Sequence, residues 1–565
     1  MSICRISPAG LKTETKRSPS AMREDSTTPK DTGFFRNLSA YVHQIKCASP
    51  LYDMALRRVA SVRNAPLIIP PDPWPGDAAR GYDALQGVYS YEGRHLRSLD
   101  VIWEPEGVHD AWLTAMHGFD VLRDLRALGG ERARRHARYL IGDWLEHYGR
   151  WHPLSWRPDI AARRIVHWLS SYMAFCASAE EEFCNEVLTS LARQLKHVSG
   201  HSAAEDLLYT AKALFYGGMA VGEEKYCRQA LHLLAAEIRG SILSDGGHKS
   251  RNPEHHLIFL QNLLDLRAAL HLAGLKPPEF LPHTVAKMSS VLRSLRHNDG
   301  GLAVFHGGSA MRGSLCDMVL AQAGQGQAAR PLKSLGATGY ERLSQGRTTV
   351  IMDVGETQEG GHHAGLLAFE MSCGRDRLIV NCGTWNGHPA WNKALRSTAA
   401  HSTVTVEESN ALPQRSEKTP LIRKPEIKKL REDINGTAFI DAVHDGYQER
   451  FGVVHRRVLT LKESGNILEG KDILSGMDGA AFTLRFHLHP SVRASVIRGG
   501  TQILLRTQSG QGWYFSCNSS VFGLEESVYV MHRHCDAPHN TVQIFVHAQI
   551  AEGKTSVKWS FSKAV

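Results

Sequence analysis

The chain has 565 residues, of which 42% are apolar and 22% charged, a composition that excludes a disordered or fibrous protein. That length exceeds what a single hydrophobic core supports, so we expect two or three domains. No run approaches the roughly eighteen apolar residues of a membrane-spanning helix, and a transmembrane segment is not expected.

The formal net charge of +9 favours an anionic partner. An acidic polysaccharide, a nucleic acid or an anionic membrane surface would satisfy this charge, which can also serve solubility alone. The ten cysteines are scattered without any Cys-x-x-Cys spacing, which is typical of free thiols in a reducing compartment.

Residues 1–50 form a basic tail rich in Ser, Thr and Pro, which we predict to be disordered. The tail lacks the apolar core that a secretory signal peptide needs. By this criterion the chain is expected in the cytoplasm.

Residues 51–300 show helical periodicity, because apolar side chains recur at intervals of three and four, as in residues 109–122. Short polar or Gly/Pro connections join these segments, so consecutive helices are expected to be antiparallel neighbours. The pattern predicts an all-helical domain, built as a bundle, a solenoid or a closed toroid of helical hairpins.

A polar loop at residues 245–256 separates two strongly helical segments. Four basic or titratable side chains crowd these twelve positions: His248, Arg251, His255 and His256. The loop can present them to a cleft. Alternatively, Asn252 caps the following helix, Pro253 occupies its first turn and Arg251 pairs with a nearby acid.

Beyond residue 340 the pattern changes to short alternating runs between Gly, Asn, Asp and Ser residues, as at 348–353 and 482–489. This change predicts an antiparallel β-sandwich over residues 341–565. Residues 301–340 are interpreted as linker and transition, because 322–332 are rich in Ala, Gly and Gln.

Two histidine-bearing segments, 360–370 and 396–404, lie in strand-like runs on either side of a buried-strand pattern at 378–384. They bring His362 or His363, Asn381 and His401 within reach of one another. Imidazoles on strands suit either a divalent metal or proton transfer at a substrate. The alternative is a set of hydrogen-bonded histidines at a domain interface.

Other side chains are candidates for sugar recognition. Arg396 suits a carboxylate or sulfate, and Trp391 suits stacking on a sugar ring, although a surface ion pair and core packing are the ordinary uses of such residues. Phosphate-loop, dinucleotide-binding, Gly-x-Ser-x-Gly and zinc-finger patterns are missing from the sequence. We therefore expect no nucleotide cofactor and no nucleic-acid partner.

The helical half, the β half and three sequence motifs together resemble the heparinase II/III-like proteins. The motifs are Asp-Gly-Gly-His running into Arg-Asn-Pro at 245–253, His-Ala-Gly-Leu-Leu-Ala-Phe-Glu at 363–370, and Arg-Ser-Thr-Ala-Ala-His-Ser-Thr-Val at 396–404. The resemblance implies an incomplete (α/α) toroid of helical hairpins followed by an antiparallel β-sandwich, with the substrate groove between them. It also implies a polysaccharide lyase acting on uronic-acid glycans, in the cell envelope or periplasm.

By this resemblance His363 and His401 match histidines that hold a metal near the groove, zinc or calcium. Asn381, the third predicted ligand, stands where the family usually has aspartate. His255 stands where the family usually has its catalytic tyrosine. The family's catalytic histidine corresponds to Gly361, so His362 is displaced by one position.

The implied reaction is β-elimination, in which the C5 proton of a uronate is removed and the C4 oxygen is expelled. Its catalytic candidates are His255, His256, His362 and Arg251. Its substrate-binding candidates are His248, Asn252, Arg396 and Trp391.

Two alternatives stay open. The chain could be a catalytically silent glycan-binding or envelope-glycan assembly protein on the same scaffold, since Glu205 and Asp206 replace an Asn-His pair common in the family. It could also be a glycoside hydrolase, with carboxylic acids drawn from Glu205, Asp206 and Asp245. The sequence names neither the sugar nor the oligomeric state.

Overall fold

A computed structural model describes residues 45–58, 65–98, 102–201, 206–311, 313–324, 330–356, 363–412, 423–532, 535 and 537–564. The predicted disorder of the tail concerns residues of which 1–44 lie outside this description. In the described part of the chain the cysteines are free thiols, as expected. None of the helices described is long and apolar enough to cross a membrane.

The amino-terminal half is an (α/α) toroid of helical hairpins, as the family resemblance implies. Its helices are α1 Pro50–Arg57, α2 Ala78–Leu85, α3 Asp110–His117, α4 Val121–Leu128, α5 Gly130–Tyr148, α6 Pro158–Cys176, α7 Glu181–Gly200, α8 Leu207–Val221, α9 Glu224–Ser241, α10 Pro253–Leu272, α11 Phe280–Ser294 and α12 Gly313–Gln322. A small hairpin of β1 Val88–Tyr91 and β2 Arg94–Arg97 is inserted between α2 and α3.

Large aromatic side chains fill the core of the toroid. Trp112, Trp144 and Trp168 come from three different helices and are fully buried. Helix α8 is buried nearly all round, which explains its almost uninterrupted apolar sequence. Gly222 ends this helix in the left-handed conformation that a side chain would disfavour.

Helix α12 lies inside the segment that the sequence analysis interpreted as linker. Its residues Cys316, Val319 and Leu320 are spaced by three and one, so they share one face and bury it in the toroid core. The Ala, Gly and Gln residues that follow obscured this short helical pattern. The helical domain therefore continues to Gln322, beyond the predicted boundary at 300.

The carboxy-terminal half is an antiparallel β-sandwich. Its strands are β3 Ser334–Leu335, β4 Tyr340–Gln345, β5 Thr348–Asp353, β6 Phe369–Cys373, β7 Asp376–Val380, β8 Val404–Val406, β9 Ile427–Ile434, β10 Thr437–Tyr447, β11 Val453–Leu461, β12 Ile467–Ser475, β13 Ala481–Leu488, β14 Arg493–Ile497, β15 Gln502–Arg506, β16 Gly512–Cys517, β17 Phe522–Tyr529, β18 His539–Gln549 and β19 Lys554–Lys563. Two short helices, α13 Pro389–Leu395 and α14 Gln448–Phe451, interrupt this order.

In the described residues these strands form two large sheets. One has the order β14-β15-β16-β19-β12-β11-β10-β9, and the other has the order β17-β18-β13-β7-β6-β5-β4-β3, with β8 paired to β13. Apolar residues from both sheets form the core between them, with Trp513 and Phe515 fully buried. Along β10 and β11 buried side chains alternate with partly exposed ones, as expected for strands with one solvated face.

A small apolar cluster joins the toroid to the sandwich. Val291 and Leu295 from the end of α11 pack with Phe305, Tyr340 and Ile351. This cluster is separate from the two main cores, so the junction between the domains is held by its own buried side chains. The candidate site lies at this junction.

Candidate functional site

The polar loop at 245–256 is built to join the two domains. Asp245 accepts hydrogen bonds from the backbone N–H and the hydroxyl of Thr338, each at 2.7 Å. Gly247 lies so close to Thr338 that a Cβ there would meet the hydroxyl oxygen at 1.7 Å, which excludes any side chain. The loop then enters α10 at Pro253, with Asn252 as its cap.

Arg251 is a structural cross-link between the domains. Its Nε donates to the carbonyl of Thr338 at 2.7 Å, and its Nη atoms donate to Asp353 and to the carbonyls at 339, 355 and 356. All five N–H donors are thereby used, and the side chains of Arg251 and Asp353 are each 2% exposed. The alternative that paired Arg251 with an acid is confirmed, and no donor remains for a substrate.

Two further predicted residues of the loop also have structural partners. Asn252 caps α10 by accepting from the N–H groups of Glu254 at 2.8 Å and His255 at 3.2 Å. His256 is buried, and its Nε2 lies 2.8 Å from the carbonyl oxygen of Met288. Both side chains are therefore engaged within the protein.

His248 and His255 lie side by side at the entrance to α10. Their ring centroids are 6.5 Å apart, and His248 also contacts Phe259. Burial lowers the pKa of His248 to about 3, so its ring is neutral at pH 7. The side chain of His255 is exposed to solvent. Among the four candidates in this loop, His255 is therefore the one best placed to meet a large ligand.

The second histidine cluster lies just before the strands, not on them as predicted. His363 precedes β6 in a loop, and His401 follows a short 3₁₀ turn before β8. The backbone turns sharply at Leu367, which has a positive φ. Gly365, two residues earlier, lies against the imidazole of His401. A Cβ at Gly365 would lie 2.5 Å from Cδ2 of His401.

The imidazoles of His363 and His401 face each other. Nδ1 of His363 lies 3.4 Å from Nε2 of His401, and the rings are nearly perpendicular. Nδ1 of His401 lies 2.7 Å from the carbonyl oxygen of Ser397, which fixes that nitrogen as the protonated one. Nε2 of His363 lies 3.2 Å from the hydroxyl of Thr384.

Asn381 is buried at the end of β7 beside this pair. Its amide oxygen accepts from the N–H of Ser402 at 2.9 Å, and its amide nitrogen donates to the carbonyl of Val304 at 3.0 Å. The backbone N–H of Asn381 donates to Glu370, which also approaches His297 at 2.9 Å. The amide therefore ties three chain segments together.

His306, which was not among the predicted site residues, connects the loop at 245–256 to the pair His363 and His401. Its carbonyl accepts from the amide of Asn252 at 3.1 Å, and its Nε2 lies 2.8 Å from Asp353. A Cβ on the next residue, Gly307, would come within 3.1 Å of Nε2 of His363. The positive φ of His306 reflects this tight turn, which the surrounding Gly residues could have signalled.

We call the set His248, His255, His306, His363 and His401 the histidine junction. Burial lowers the pKa of His306 below its ordinary value and that of His401 to about 4. These two rings and that of His248 are therefore uncharged at neutral pH. These three imidazoles therefore add no positive charge to the site at pH 7.

The remaining site candidates differ in their surroundings. The side chain of Trp391 in α13 is 37% exposed, as a stacking residue would need to be. Arg396 caps the same helix and is half-buried. His362 lies outside the described residues, as does Glu205. Asp206 caps α8 and Asp245 bonds Thr338, so neither is presented as the acid of a hydrolase.

The predicted metal site comprises two imidazoles and one amide. The two imidazoles are ligands of the kind that a divalent ion binds, and an ion between them would replace the contact of Nδ1 of His363 with Nε2 of His401. Asn381 fits less well, because both ends of its amide already bond backbone groups. Within the described ranges no cluster of three or more His, Cys, Asp or Glu residues could hold a metal. The metal stays a prediction that rests on His363 and His401.

An (α/α) toroid joined to an antiparallel β-sandwich is the fold that this chain shares with heparinase III. The family model "Heparinase II/III N-terminus" matches residues 132–300, and "Heparinase II/III-like, C-terminal" matches residues 327–560. This chain belongs to the heparinase II/III-like family.

A curated relative, FtsZ-localized protein C of Caulobacter vibrioides, is 32% identical over 525 residues, which cover 88% of this chain and 90% of that protein. The crystal structure of heparinase III aligns with a TM-score of 0.70 at 14% identity, covering 95% of this chain and 92% of that one. A mutant of the heparan sulfate lyase HepC from Pedobacter heparinus aligns with a TM-score of 0.60 at 15% identity, covering 94% and 91%. At these identities the solved structures show the fold alone.

Proposed function

We propose that this chain binds a polysaccharide at the histidine junction and does not cleave it. The observation that carries this proposal is the state of Arg251, whose donors are all used between the domains. A guanidinium in this state cannot neutralise the carboxylate of a uronate.

β-Elimination requires a group that neutralises the carboxylate of the uronate. The C5 proton becomes acidic enough to remove only when the neighbouring carboxylate is neutralised, because the charge that develops must be stabilised. Asp206, where the family commonly has an Asn-His pair, bonds the first turn of α8 through its carboxylate. A carboxylate at this position supplies no N–H donor for the carboxylate of a uronate.

The junction remains suited to holding a sugar chain. The imidazole of His255 is exposed, and an imidazole can form hydrogen bonds with the hydroxyl groups of a glycan. The exposed side chain of Trp391 offers a surface on which a sugar ring can stack. Arg396, five residues further along the chain, is the candidate for binding a carboxylate or sulfate. The net charge of +9 attracts an acidic glycan over longer distances. We therefore take a uronic-acid glycan as the ligand.

The named relative supports a role outside catalysis. The name of FtsZ-localized protein C describes localisation with FtsZ and no enzymatic activity. That protein matches this chain over most of both lengths. We propose cell division as the setting and envelope-glycan assembly as the process. This proposal favours the cell envelope over the compartment that the free thiols alone would suggest.

A second candidate, a lyase, is favoured by one specific observation. His255 is exposed at the first turn of α10, at the position that by resemblance belongs to the catalytic tyrosine. An imidazole there can act as the base that removes the C5 proton. A metal held by His363 and His401 would, if bound, order the groove beside it.

Binding and cleavage can be measured in one set of samples. The purified chain is titrated with fluorescein-labelled heparan sulfate and alginate fragments, while the absorbance of unsaturated uronate is followed. We expect saturable binding and no rise in absorbance. A rise that disappears in His255→Ala would replace the proposal with the lyase candidate.

Variants locate the binding. Trp391→Ala should weaken binding about five- to tenfold, roughly the 1–1.4 kcal/mol of one aromatic contact. His232→Ala changes an exposed histidine on α9, a helix that contributes no residue to the histidine junction, and should leave affinity unchanged. Equal effects of the two substitutions, or no binding of any fragment, would contradict the proposal.

A further inference from the structure

A groove of about 720 Å³ opens on the toroid, away from the histidine junction. Four prolines, Leu264 and Ala268 form its apolar walls, and Arg267, His271 and Lys276 supply basic groups. Leu264 lies twelve positions beyond the cap Asn252, which at 1.5 Å per residue places it about 18 Å along α10. The groove is therefore a separate surface near the opposite end of this helix.

The basic groups of the groove are grouped on one side. Arg267 and His271 are four residues apart on α10 and so share a helix face, and Lys276 follows the end of that helix. Arg267 donates to the carbonyls of Gln322 and Ala323, and burial lowers its pKa. None of the described lining residues is acidic.

The acids closest in sequence to the lining are mostly directed into the protein. Asp72, between two lining prolines, is paired with Arg123 and Arg126 at 2.8 and 3.0 Å. Asp265, beside Leu264 in α10, is 5% exposed and paired with Lys212 at 2.6 Å. Glu279, three residues after Lys276, is exposed and offsets one positive charge.

We propose that this groove binds a segment of another protein in which apolar side chains alternate with Asp or Glu. The apolar walls would take the apolar side chains, and the basic rim would pair with the carboxylates. The proposal is independent of any activity at the histidine junction.

The shape of the groove favours a protein segment over a small ligand. Most of its lining residues are exposed, among them Pro71, Ala268 and Lys276, whereas small-molecule sites enclose most of the ligand surface. The exposed side chains of Leu272 and Leu275, 51% and 45% accessible, lie next to the lining residues in sequence and extend the apolar surface. A partner longer than the groove can use them.

The prolines determine how the segment is recognised. Proline has no backbone N–H and a fixed φ, so these walls are rigid and cannot add a β-strand to the partner. Recognition must then come from apolar contact and charge. A preformed surface also lowers the ordering cost of binding.

The test uses the full chain and a random dodecapeptide display library, followed by fluorescence anisotropy with the selected peptides. We expect enriched sequences to combine Leu, Ile, Phe or Trp with Asp or Glu. Ala268→Trp, an exposed position that would fill the groove, should weaken binding at least tenfold. Lys276→Glu should weaken it about tenfold and reduce its dependence on salt.

Matched controls make the result decisive. Lys554→Glu makes the same charge change at an exposed site on β19, and it should leave affinity unchanged. Decanoate, an apolar carboxylate, is tested as a competitor. The proposal is overturned if no peptide is enriched, if the enriched peptides are neutral or basic, if Ala268→Trp binds them normally, or if decanoate binds the groove and peptides do not.

Discussion

Replacing Arg251 by methionine should unfold the chain at markedly lower denaturant concentrations. Arg251 and Asp353 are each 2% exposed, and the guanidinium also holds four backbone carbonyls from the β half. Methionine fills a similar volume but supplies no donor. The variant therefore leaves a buried carboxylate and several carbonyls without their partner.

The expected cost can be worked from this geometry. Removing one partner of a buried ion pair costs about 3–5 kcal/mol, whereas an exposed pair contributes about 0–1 kcal/mol. His306, 2.8 Å from Asp353, and the N–H of Gly355, at 3.2 Å, remain to solvate part of the carboxylate charge. We therefore expect about 3 kcal/mol, at the lower end of the range.

The assay is equilibrium urea unfolding, followed by tryptophan fluorescence and far-UV circular dichroism. Two probes are needed because a chain of two domains need not unfold in one step. Arg456→Met is the matched control, since Arg456 pairs with Asp441 on the surface and is 50% exposed. If both variants lose the same stability, or if Arg251→Met folds normally and loses only glycan binding, the structural role assigned to Arg251 is wrong.

Three further predictions concern the histidine junction and the residues next to it. The free energy of unfolding should fall by up to about 2 kcal/mol between pH 7 and pH 5 for each of His256 and His401. The buried rings have pKa values of about 4, whereas histidines of the unfolded chain take up protons below about pH 6.5, so acidification favours the unfolded state. Urea midpoints that do not move over this range would contradict the buried neutral state. Gly365→Ala should cost about 1–3 kcal/mol, because the added Cβ meets the ring of His401 at 2.5 Å, and a thermal shift of under a degree would refute the contact. Asn381→Asp should lower the melting temperature, because a carboxylate would replace an amide 3.4 Å from Glu370, and Zn²⁺ or Ca²⁺ should restore it if His363 and His401 hold a metal. Loss of stability that neither ion reverses would remove support for the metal prediction.

The secondary structure followed closely from local patterns. Helical spacing predicted an all-helical domain, and the family resemblance identified it as a toroid. Alternation predicted strands at 348–353 and 482–489, which lie at Thr348–Asp353 and Ala481–Leu488 in the structure. The cap at Asn252 and the helix start at Pro253 were also readable, because capping depends on adjacent residues alone. Helix α12 was missed because its single buried face spans only a few positions.

The candidate site was only partly predictable. The motifs identified His363 and His401 and the fold that carries them, yet placed both on strands. His306 carried no motif, and its role depends on Asp353 and Asn252, which are distant in sequence. Such contacts between distant segments leave no periodic pattern.

The sequence alone thus determined the order of the domains and the family, because periodicity, capping and motif spacing are local properties of the chain. Only the tertiary structure decided what each polar group does. The sequence made Arg251 a candidate for substrate binding, whereas in the structure its guanidinium binds backbone carbonyls and Asp353. The charge of His401 likewise depends on its burial against Gly365. Hydrogen-bond partners and desolvation arise when distant segments meet, so residue order does not specify them.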